Sequence, residues 1–479
     1  MSTGHAVAVA CGSTLRWVRP STIATRAGDS MRCRSADALH YAHPIATRRM
    51  ACAGTGAPAG TAARVAHCTR ATTTSTEVPA ISTITPATAS ADLAALAADA
   101  GLERIHILAW RDLADAEAGG SELHASRVAA LWAEAGLQVT MRTSHAAGHP
   151  ETSWRDGYRV VRRSGRYSVF PSAVVSELLH QQGPRDAIVE IWNGVPFLTP
   201  LWFRGPRSVM LHHVHKDMWE MVIKGRLATY GRLFETRIAP RFYQQTPVVT
   251  LSNSSRDELI SLLGLPPGNI SVVPVGIDER FNPIGTRKAG HPLVAAVGRL
   301  MPPKRFDEVI RICAEVRKTV PDLELVIAGE GYERANLAEL IDTLGAASWV
   351  RLPGRVSDAE LVRLYQQAWV VTSASTAEGW GMTMTEAAAC GTPSVATDIA
   401  GHRDSVADGD SGLLGADARD IAAKLTAVLT DDELRLRLSE GALKHANAFT
   451  WDACAYNNLV PLAREARRRQ GRDGSADET

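Results

Sequence analysis

The feature that most constrains the fold is an alternation of short apolar runs with amphipathic stretches, which occurs in two series on either side of Asn282-Pro283. Within each series, loops that contain glycine connect several apolar runs to the amphipathic stretches that follow them. Repeats of this β-loop-α-β kind form parallel sheets that are covered by helices. The sequence therefore predicts an α/β protein with two doubly wound Rossmann-like domains that face a cleft.

The predicted strands are shared equally between the two series. In the first series, strands are predicted at residues 104–110, 138–142, 187–192, 208–212 and 248–252, and helices at 91–100 and 124–132. In the second series, strands are predicted at 293–298, 323–328, 350–352, 369–372 and 394–397, and helices at about 306–318, 333–344, 358–367, 383–390 and 418–429. Ligands of such sheets bind beyond the carboxyl ends of the strands, so the loops there form the candidate site.

Residues 1–95 form a separate, low-complexity extension that is rich in Ala, Thr, Ser and Arg and poor in acidic residues. We predict disorder for it, because such a composition cannot bury enough apolar surface to fold. The same composition is typical of an organelle transit peptide, and a start codon assigned too early is the alternative, with Met31 or Met50 as the start. The other predicted segments are domains at 96–282 and 283–448, a C-terminal helix at 449–470 and a disordered tail at 471–479.

Composition argues against several classes of function. The formal net charge of +1 gives no reason to expect nucleic-acid binding. No apolar run is long enough to span a bilayer, and the seven cysteines match no metal-site spacing. A reduced compartment fits this cysteine usage. We therefore predict a cytoplasmic protein, with peripheral attachment to the inner membrane face as a further expectation.

Two cations follow the first strand of the second series, in Gly298-Arg299 and at Lys304. Fixed positive charge at a strand's carboxyl end can stabilise a departing diphosphate as its oxygens gain charge. Two solvated surface cations would give the same pattern.

Glycine-rich loops follow the next strands. In Gly329-Glu330-Gly331, Arg334 stands where the dinucleotide fingerprint Gly-x-Gly-x-x-Gly has its third glycine, which leaves an NAD-dependent oxidoreductase as an alternative. Gly354 would let a planar base approach the backbone. The pair Gly119-Gly120 precedes a helix of the first series and would let a phosphate or an acceptor approach backbone N–H groups.

Two glutamates eight residues apart, Glu378 and Glu386, lie in a glycine-rich run after the fourth strand of the second series. Such a loop can place one carboxylate over a sugar and direct backbone N–H groups to phosphate, with the second carboxylate in the following helix. The pattern Thr383-x-x-Glu386 also matches a capping box, which would make Glu386 only a device that starts the helix.

Together these motifs resemble the retaining family 4 glycosyltransferases of the GT-B fold, also described as glycosyl transferases group 1. The resemblance extends from about residue 105 to 459 and is strongest from 272 to 414. The matching pieces are Val273-Pro274-Val275-Gly276-Ile277-Asp278, Gly298-Arg299 with Lys304, Ala328-Gly329-Glu330-Gly331, Gly354-Arg355-Val356, and the pair Glu378 and Glu386.

The resemblance implies a role for each matched residue. Arg299 and Lys304 would hold the donor diphosphate, Glu378 would contact the sugar hydroxyls, and Glu386 would hold the ribose hydroxyls. Trp380 stands where family members carry Phe or a similar residue, so a reshaped sugar pocket is expected. The resemblance also implies that 96–282 is the acceptor-side domain, that 283–448 binds the nucleotide sugar, and that the C-terminal helix crosses back to the first domain. The donor-binding residues that it implies are Gly298, Gly329, Gly354, Arg355, Val356, Gly379, Trp380, Gly381, Met382 and Glu386.

A histidine after a strand of the first domain often touches the transferred sugar in that family. We expect this role for His213, which we therefore count as catalytic, with His212 beside it as the next candidate. Since alternate residues of a strand share a face, His213 and His215 would also allow a zinc site as an alternative. Asp408-Gly409-Asp410 imitates a metal-binding signature but lies in a glycine-punctuated turn, so no catalytic metal is predicted.

The sequence thus predicts a retaining, metal-independent hexosyltransferase (EC 2.4) that moves a hexose from a nucleotide diphosphate sugar to a hydroxyl acceptor, without a cofactor. GDP-mannose, UDP-glucose and UDP-N-acetylglucosamine all remain candidate donors, and the acceptor is a glycan, a lipid or a small molecule. Aromatic and basic residues mix between residues 216 and 243, which is compatible with contact to an anionic membrane. A nucleotide-sugar-binding protein without transferase activity is the main alternative.

Overall fold

The computed structural model describes residues 86–115, 117–215, 219 and 225–471. Most of the predicted extension and all but the first residue of the predicted tail lie outside these residues, as does part of the segment 216–243. Residues 86–95, which the sequence division placed in the extension, instead form most of the first helix, Pro86–Asp99, in which Leu93 is buried. The fold therefore begins earlier than the composition indicated, because this alanine-rich stretch packs on the last helix of the chain.

The first half is built on an eight-stranded sheet. Its strands are β1 (Arg104–Leu108), β2 (Gln138–Thr143), β3 (Thr152–Arg155), β4 (Tyr158–Arg162), β5 (Ala187–Ile191), β6 (Arg207–Met210), β7 (Val248–Thr250) and β8 (Ile270–Val272). They lie in the order β3-β4-β2-β1-β5-β6-β7-β8, and all neighbours are parallel except β3 and β4.

Helices cover this sheet and connect its strands. They are α1 (Pro86–Asp99), α2 (Gly120–Glu134), α3 (Val169–Leu178), α4 (Thr199–Trp202), α5 (Arg226–Leu233) and α6 (Asn253–Leu263). A π-helix, Phe234–Ile238, and a 3₁₀ turn, Ala239–Phe242, continue directly from α5.

The second half is built on a six-stranded parallel sheet. Its strands are β9 (Leu293–Val297), β10 (Glu324–Ala328), β11 (Val350–Gly354), β12 (Val370–Ser373), β13 (Ser394–Thr397) and β14 (Gly412–Gly415), in the order β11-β10-β9-β12-β13-β14. Its helices are α7 (Phe306–Val316), α8 (Arg334–Thr343), α9 (Asp358–Gln367), α10 (Met382–Ala389), α11 (Ala400–Ser405), α12 (Ala418–Thr430) and α13 (Asp432–Ala446). Two doubly wound α/β halves are present, which confirms the predicted fold class.

Burial explains why the central strands read as continuous apolar runs. Every residue of β5 is buried, since helices cover both faces of the sheet, as expected for parallel strands. In the second half, α7 places six buried side chains on one stripe against the sheet, including Phe306 and Ile310. These two cores hold the strand ends, and therefore the loops of the candidate site, in fixed positions.

The last helix, α14 (Trp451–Arg469), packs against α1 and α2 of the first half. Trp132 of α2 donates its indole N–H to the carbonyl of Ala455 at 3.0 Å. The two crossings of the chain between the halves run side by side, because Ile277 pairs with Thr450, and a Cβ on Gly276 would lie 2.5 Å from the backbone of Trp451. The halves are thus joined by paired backbone.

Four of the fourteen described strands were not predicted. The hairpin β3–β4 has a turn at Asp156-Gly157, where both residues have positive φ, and this Asp-Gly pair is the local signal that was missed. The short strands β8 and β14 carry no apolar run of their own and form at the edges of their sheets. None of the described helices has the length and apolarity that a membrane span needs.

Candidate functional site

The candidate site lies where loops from the carboxyl ends of β9 and β12 meet loops that follow β1 and β6. Lys304, beyond β9, donates to Oε1 of Glu378, beyond β12. The same oxygen accepts from the hydroxyl of Ser375 at 2.8 Å. The structure therefore brings the predicted lysine and the first predicted glutamate into direct contact.

The electrostatics of this pair fix the charge of Glu378. Burial by itself would raise the pKa of its carboxyl, but the adjacent Lys304 ammonium outweighs that effect and holds the pKa below its usual value. Glu378 is therefore ionised at neutral pH. The Glu378 carboxylate and the Lys304 ammonium therefore form a half-buried ion pair.

Arg299 projects from the same loop as Lys304 and is exposed. Its guanidinium lies against the glycine pair of the first half, because a Cβ on Gly119 would be 3.5 Å from Nη2 of Arg299. A Cβ on Gly120 would be 3.0 Å from Sδ of Met382. The lack of side chains at Gly119-Gly120 thus lets the start of α2 approach Arg299 and the start of α10.

Of the two candidate histidines, His213 faces the second half. A Cβ on Gly379 would lie 3.6 Å from its Nδ1. Burial, helped by the neighbouring His215, lowers the pKa of His213 to about 3, so the imidazole is neutral at physiological pH. The rings of His213 and His215 stack with centroids 4.9 Å apart.

The side chain of His212 points the other way. Its Nε2 lies 2.8 Å from Nδ1 of His124 on α2, and the far side of the His124 ring meets Cys454 and Asn458 on α14. His212 is buried there, and burial lowers its pKa. The expectation that His212 could serve beside His213 in the cleft is therefore wrong for its side chain, which anchors the loop instead.

Glu386 lies on α10, and within the part of the chain that the structure describes its carboxyl makes no direct contact with a cationic side chain. It accepts a hydrogen bond from the hydroxyl of Tyr365 at 3.1 Å. Removal from solvent raises the pKa of Glu386 to about 7. The capping-box alternative is wrong, because α10 starts after Gly381 and has no side-chain cap. Glu386 therefore has no structural task at the helix start.

Gly329 and Gly331, in the loop after β10, allow this loop to pack closely against the loop after β9. A Cβ on Gly329 would lie 1.8 Å from the carbonyl oxygen of Gly298, and one on Gly331 would lie 2.2 Å from that of Leu300. These approaches allow Leu300 N–H to donate to the carbonyl of Glu330 at 2.8 Å. The glycines needed for the NAD alternative are thus used to join two loops of the same sheet edge.

At the end of β11, Gly354 has a φ of +83°, and a Cβ there would lie 2.5 Å from Oε1 of Glu330. Arg355 is exposed and Val356 is partly exposed beside it. These residues sit at the carboxyl edge of the sheet, and two strands, β10 and β9, separate β11 from the strand whose loop carries Glu378.

The side chain of Trp380 is largely buried. It is 4% exposed and packs with Leu251 and Val275, and its ring meets Phe449 edge-on at 5.2 Å. It lies where the chain crosses between the halves, and its effect on a sugar pocket stays a prediction.

Several residues near the site were not singled out from the sequence. Ser252 and Ser255 of the first half donate to the carbonyl of Gly379 at 3.3 and 3.4 Å. Nδ1 of His402 lies 2.9 Å from the carbonyl oxygen of Thr397 and 3.1 Å from its hydroxyl oxygen. The imidazole is close enough to Glu378 to affect the pKa of its carboxyl. Ser252 caps α6 two residues after β7, and Ser255 lies in the first turn of that helix, so a search of the helix start after this strand would have found them.

The remaining metal signatures do not form clusters. Among the described residues, no group of three or more His, Cys, Asp or Glu side chains has a metal-holding arrangement. Asp408 accepts from Leu414 N–H at 2.8 Å, and Gly409 pairs with Gly412, so the Asp-Gly-Asp run is a hydrogen-bonded turn before β14.

Comparison with protein families gives two adjacent matches. The family described as "Glycosyltransferase Family 4" matches residues 118–281, and "Glycosyl transferases group 1" matches residues 278–445. The chain is also 28% identical over 390 residues to "D-inositol 3-phosphate glycosyltransferase 2" of Catenulispora acidiphila, covering 71% of this chain and 88% of the relative. It is 38% identical over 229 residues to a D-inositol 3-phosphate glycosyltransferase of Corynebacterium aurimucosum, covering 43% of this chain and only 54% of that relative.

Solved structures share the fold at low sequence identity. Sucrose-phosphate synthase from Thermosynechococcus elongatus superimposes with a TM-score of 0.64 at 19% identity, covering 77% of this chain and 99% of that one. WaaG, a glycosyltransferase involved in lipopolysaccharide biosynthesis, gives 0.58 at 18% identity, covering 74% and 98%. HepE of Anabaena in complex with UDP and glucose gives 0.57 at 18% identity, covering 75% and 98%.

Proposed function

Because the chain belongs to the family 4 glycosyltransferases of the GT-B fold, we propose that it transfers a hexose from a nucleotide diphosphate sugar to a hydroxyl acceptor with retention of the anomeric configuration. One observation carries this proposal: Arg299, Lys304 and Glu378 of the second half converge with His213 of the first half. Opposite charges and a neutral imidazole are thereby brought together where the two halves meet.

The proposed chemistry begins at the leaving group. The bond between the anomeric carbon and the phosphate oxygen breaks, and the negative charge that develops on the diphosphate is stabilised by Arg299 and Lys304. The N–H groups at the start of α10, beyond Gly381, add positive dipole. The acceptor hydroxyl oxygen bonds to the anomeric carbon, and its proton goes to the departing phosphate oxygen. No metal or cofactor takes part in this scheme.

Glu378 and His213 have complementary parts in it. Glu378 is ionised and accepts hydrogen bonds from hydroxyls of the transferred sugar. His213 remains neutral because burial lowers its pKa to about 3, so it contributes a neutral hydrogen-bonding group and no positive charge near the anomeric carbon. The diphosphate competes with Glu378 for Lys304, which frees the carboxylate for the sugar.

The nucleoside would lie further along the same edge. Glu386 would accept from the ribose hydroxyls, with Tyr365 orienting its carboxyl. Arg355 and Val356, next to Gly354, would lie beside the base. HepE of Anabaena binds UDP and UDP-glucose, which supports uridine as the first nucleotide to test.

Substitution of Lys304 tests the proposal. Lys304→Ala is expected to lower kcat by about 10²- to 10³-fold, as for loss of one group that stabilises developing negative charge. Lys318→Ala, which removes an exposed lysine paired with Glu315 on the same half, is the control and should leave turnover unchanged. Near-normal transfer by Lys304→Ala would refute the assignment.

Release of free nucleotide from a panel of GDP-mannose, UDP-glucose and UDP-N-acetylglucosamine identifies the donor and separates a transferase from a protein that only binds nucleotide sugars. Thermal stabilisation by a donor without nucleotide release in the presence of acceptors would favour the latter. The names of the relatives make inositol 3-phosphate, with unphosphorylated inositol as its comparison, the first acceptor pair for this assay.

Peripheral membrane contact is a second part of the proposal. Along α5 and the two turns that continue it, large apolar side chains between 41% and 67% exposed recur at helical spacing and alternate with arginines. The apolar members are Leu227, Tyr230, Leu233, Ile238 and Phe242, and the arginines are Arg226, Arg237 and Arg241. Such a face fits the headgroup region of an anionic bilayer.

Sedimentation with vesicles tests this contact. The protein should pellet with phosphatidylglycerol vesicles and less with phosphatidylcholine vesicles, and Leu227→Glu should weaken pelleting. Leu201→Glu, at another exposed leucine of the same half, is the control. Equal behaviour of the two variants would remove the membrane from the proposal and leave the transferase assignment intact.

A further inference from the structure

Loop 211–215, which carries His213, is held from two opposite sides. On one side, the His212 ring contacts His124 and through it the last helix of the chain. On the other side, the backbone N–H of His215 donates to Oε1 of Glu235 at 3.0 Å. His213 lies between these two anchors, so its position against Gly379 depends on both.

Glu235 is unusual in its place and in its partners. It is fully buried and lies in the π-helix that interrupts the run from α5 to the following turn. Its second oxygen, Oε2, accepts from the indole N–H of Trp219 at 2.8 Å. π-Helical turns within helices are costly and occur often at functional sites. Here the turn directs a carboxylate inward, while Phe234 and Thr236 on either side are only partly buried.

Trp219 extends this contact in two directions. A Cβ on Gly231 of α5 would lie 2.6 Å from its ring, so the indole is seated directly against the backbone of α5. A Cβ on Gly194 would lie 3.2 Å from the same ring and 3.5 Å from the ring of His215. The indole is therefore packed between α5, the loop after β5 and the histidine loop, with its only polar atom bound to Glu235.

We propose that Glu235 is a positioning residue for the transfer reaction: by holding the His215 backbone and the Trp219 indole, it fixes His213 against the loop that carries Gly379 and Glu378. The inference rests on the proposed role of His213 in the site. Glu235 itself does not touch the reacting groups. Its effect is geometric, since a displacement of about 1 Å in a catalytic group can cost about 10²-fold in rate.

Two variants test the role of Glu235, and a third serves as their control. Glu235→Gln keeps one carbonyl oxygen and cannot satisfy both donors, and Trp219→Phe keeps the ring and removes one donor. Each should lower kcat by about 10- to 100-fold while the donor KM changes little. Glu177→Gln is the matched control, because Glu177 is equally buried in the same half and is bound by His106 and Arg185 far from this loop. It should reduce thermal stability without changing kcat below its unfolding transition.

A double-mutant cycle with His213→Ala gives the decisive readout. If Glu235 acts through His213, adding Glu235→Gln or Trp219→Phe to His213→Ala should cause no further loss of kcat. Additive losses would overturn the positioning role and leave the role of His213 standing. Normal kcat in His213→Ala would overturn the role of His213 and, with it, this inference. Should Glu235→Gln fold poorly, the cycle with Trp219→Phe decides the matter alone.

Discussion

Glu386 provides a prediction in which stability and function oppose each other. Its pKa rises from 4.5 to about 7 because the surrounding protein removes its carboxyl from solvent, while Tyr365 supplies one hydrogen bond. A raised pKa means that the folded protein disfavours the ionised form. The gap corresponds to at most about 3 kcal/mol of lost stability, since the side chain is partly exposed and solvent screens the penalty.

The pH window of this effect follows from the two pKa values. Below pH 4.5 the carboxyl of Glu386 is protonated in both the folded and the unfolded chain, so nothing is lost. Between pH 4.5 and about 7 the unfolded chain ionises first, and stability falls as pH rises. Above about pH 7 the loss is complete. Glu386→Gln removes the ionisation and should therefore stabilise the free protein at high pH.

Thermal unfolding measures the difference. Between pH 5.5 and 8.5 the advantage of Glu386→Gln over the parent should grow by about 2 kcal/mol, which is about 4–8 °C in Tm for a domain of this size. Glu339→Gln, at an exposed glutamate on α8, is the control and should show no such growth. A Tm difference that stays constant with pH would refute the reasoning about burial.

The same variant tests function. In the proposed site the ribose hydroxyls donate to the ionised carboxylate, so the nucleotide should bind with proton release near pH 7. Loss of the charge should weaken nucleotide affinity by about 10- to 100-fold, the amount expected for hydrogen bonds to a charged group. Calorimetry in two buffers of different ionisation enthalpy counts the protons. Proton release that persists in Glu386→Gln would assign it to another group.

Two further predictions concern the frame of the site. Gly329→Ala should prevent the second half from folding normally, because the added Cβ would lie 1.8 Å from the carbonyl oxygen of Gly298. Soluble yield and Tm measure this effect, and a fully stable variant would contradict the described loop contact. Asp404→Ala should lower the free energy of unfolding by about 1 kcal/mol, as for loss of a helix cap. Asp404 of the second half accepts from the N–H groups of Asn253 and Ser254 at 3.0 and 3.2 Å, at the start of α6. An unchanged Tm would show that this link between the halves contributes nothing.

The sequence was sufficient for the parts of the fold that repeat. Apolar runs followed by amphipathic stretches placed ten of the fourteen described strands, the first two helices of the first half and five helices of the second half, since period and burial agree in parallel sheets. The missed strands lack such a period. The hairpin β3–β4 and the short strands β8 and β14 receive their stability from neighbours in the sheet, and their own residues show little period.

At the site, the limits of sequence reasoning are seen in the histidines. The argument that His213 and His215 share a face treated both as strand residues, but β6 ends at Met210. The loop that follows turns His212 toward α2 and leaves His213 and His215 stacked on the other side. The pair was placed together correctly, but which histidine faces the second half depends on contacts with residues more than eighty positions away.

The two glutamates of the glycine-rich run show why one residue type can take two parts in the proposed reaction. They are eight positions apart, yet the pKa of Glu378 falls below its usual value and that of Glu386 rises to about 7. Lys304 contacts Glu378 directly, whereas burial dominates at Glu386, whose hydrogen-bond partner is the neutral hydroxyl of Tyr365. Environments that separate the pKa values of two carboxyls separate their roles. In the proposed site, Glu378 would be charged before the donor arrives and ready for sugar hydroxyls once the diphosphate takes over Lys304, whereas Glu386, with a pKa of about 7, would become fully ionised near neutral pH only when the ribose supplies donors. Binding of the nucleotide and placement of the sugar would then be distinct steps with different pH dependence, and a single shared pH profile for donor affinity and kcat would contradict that separation.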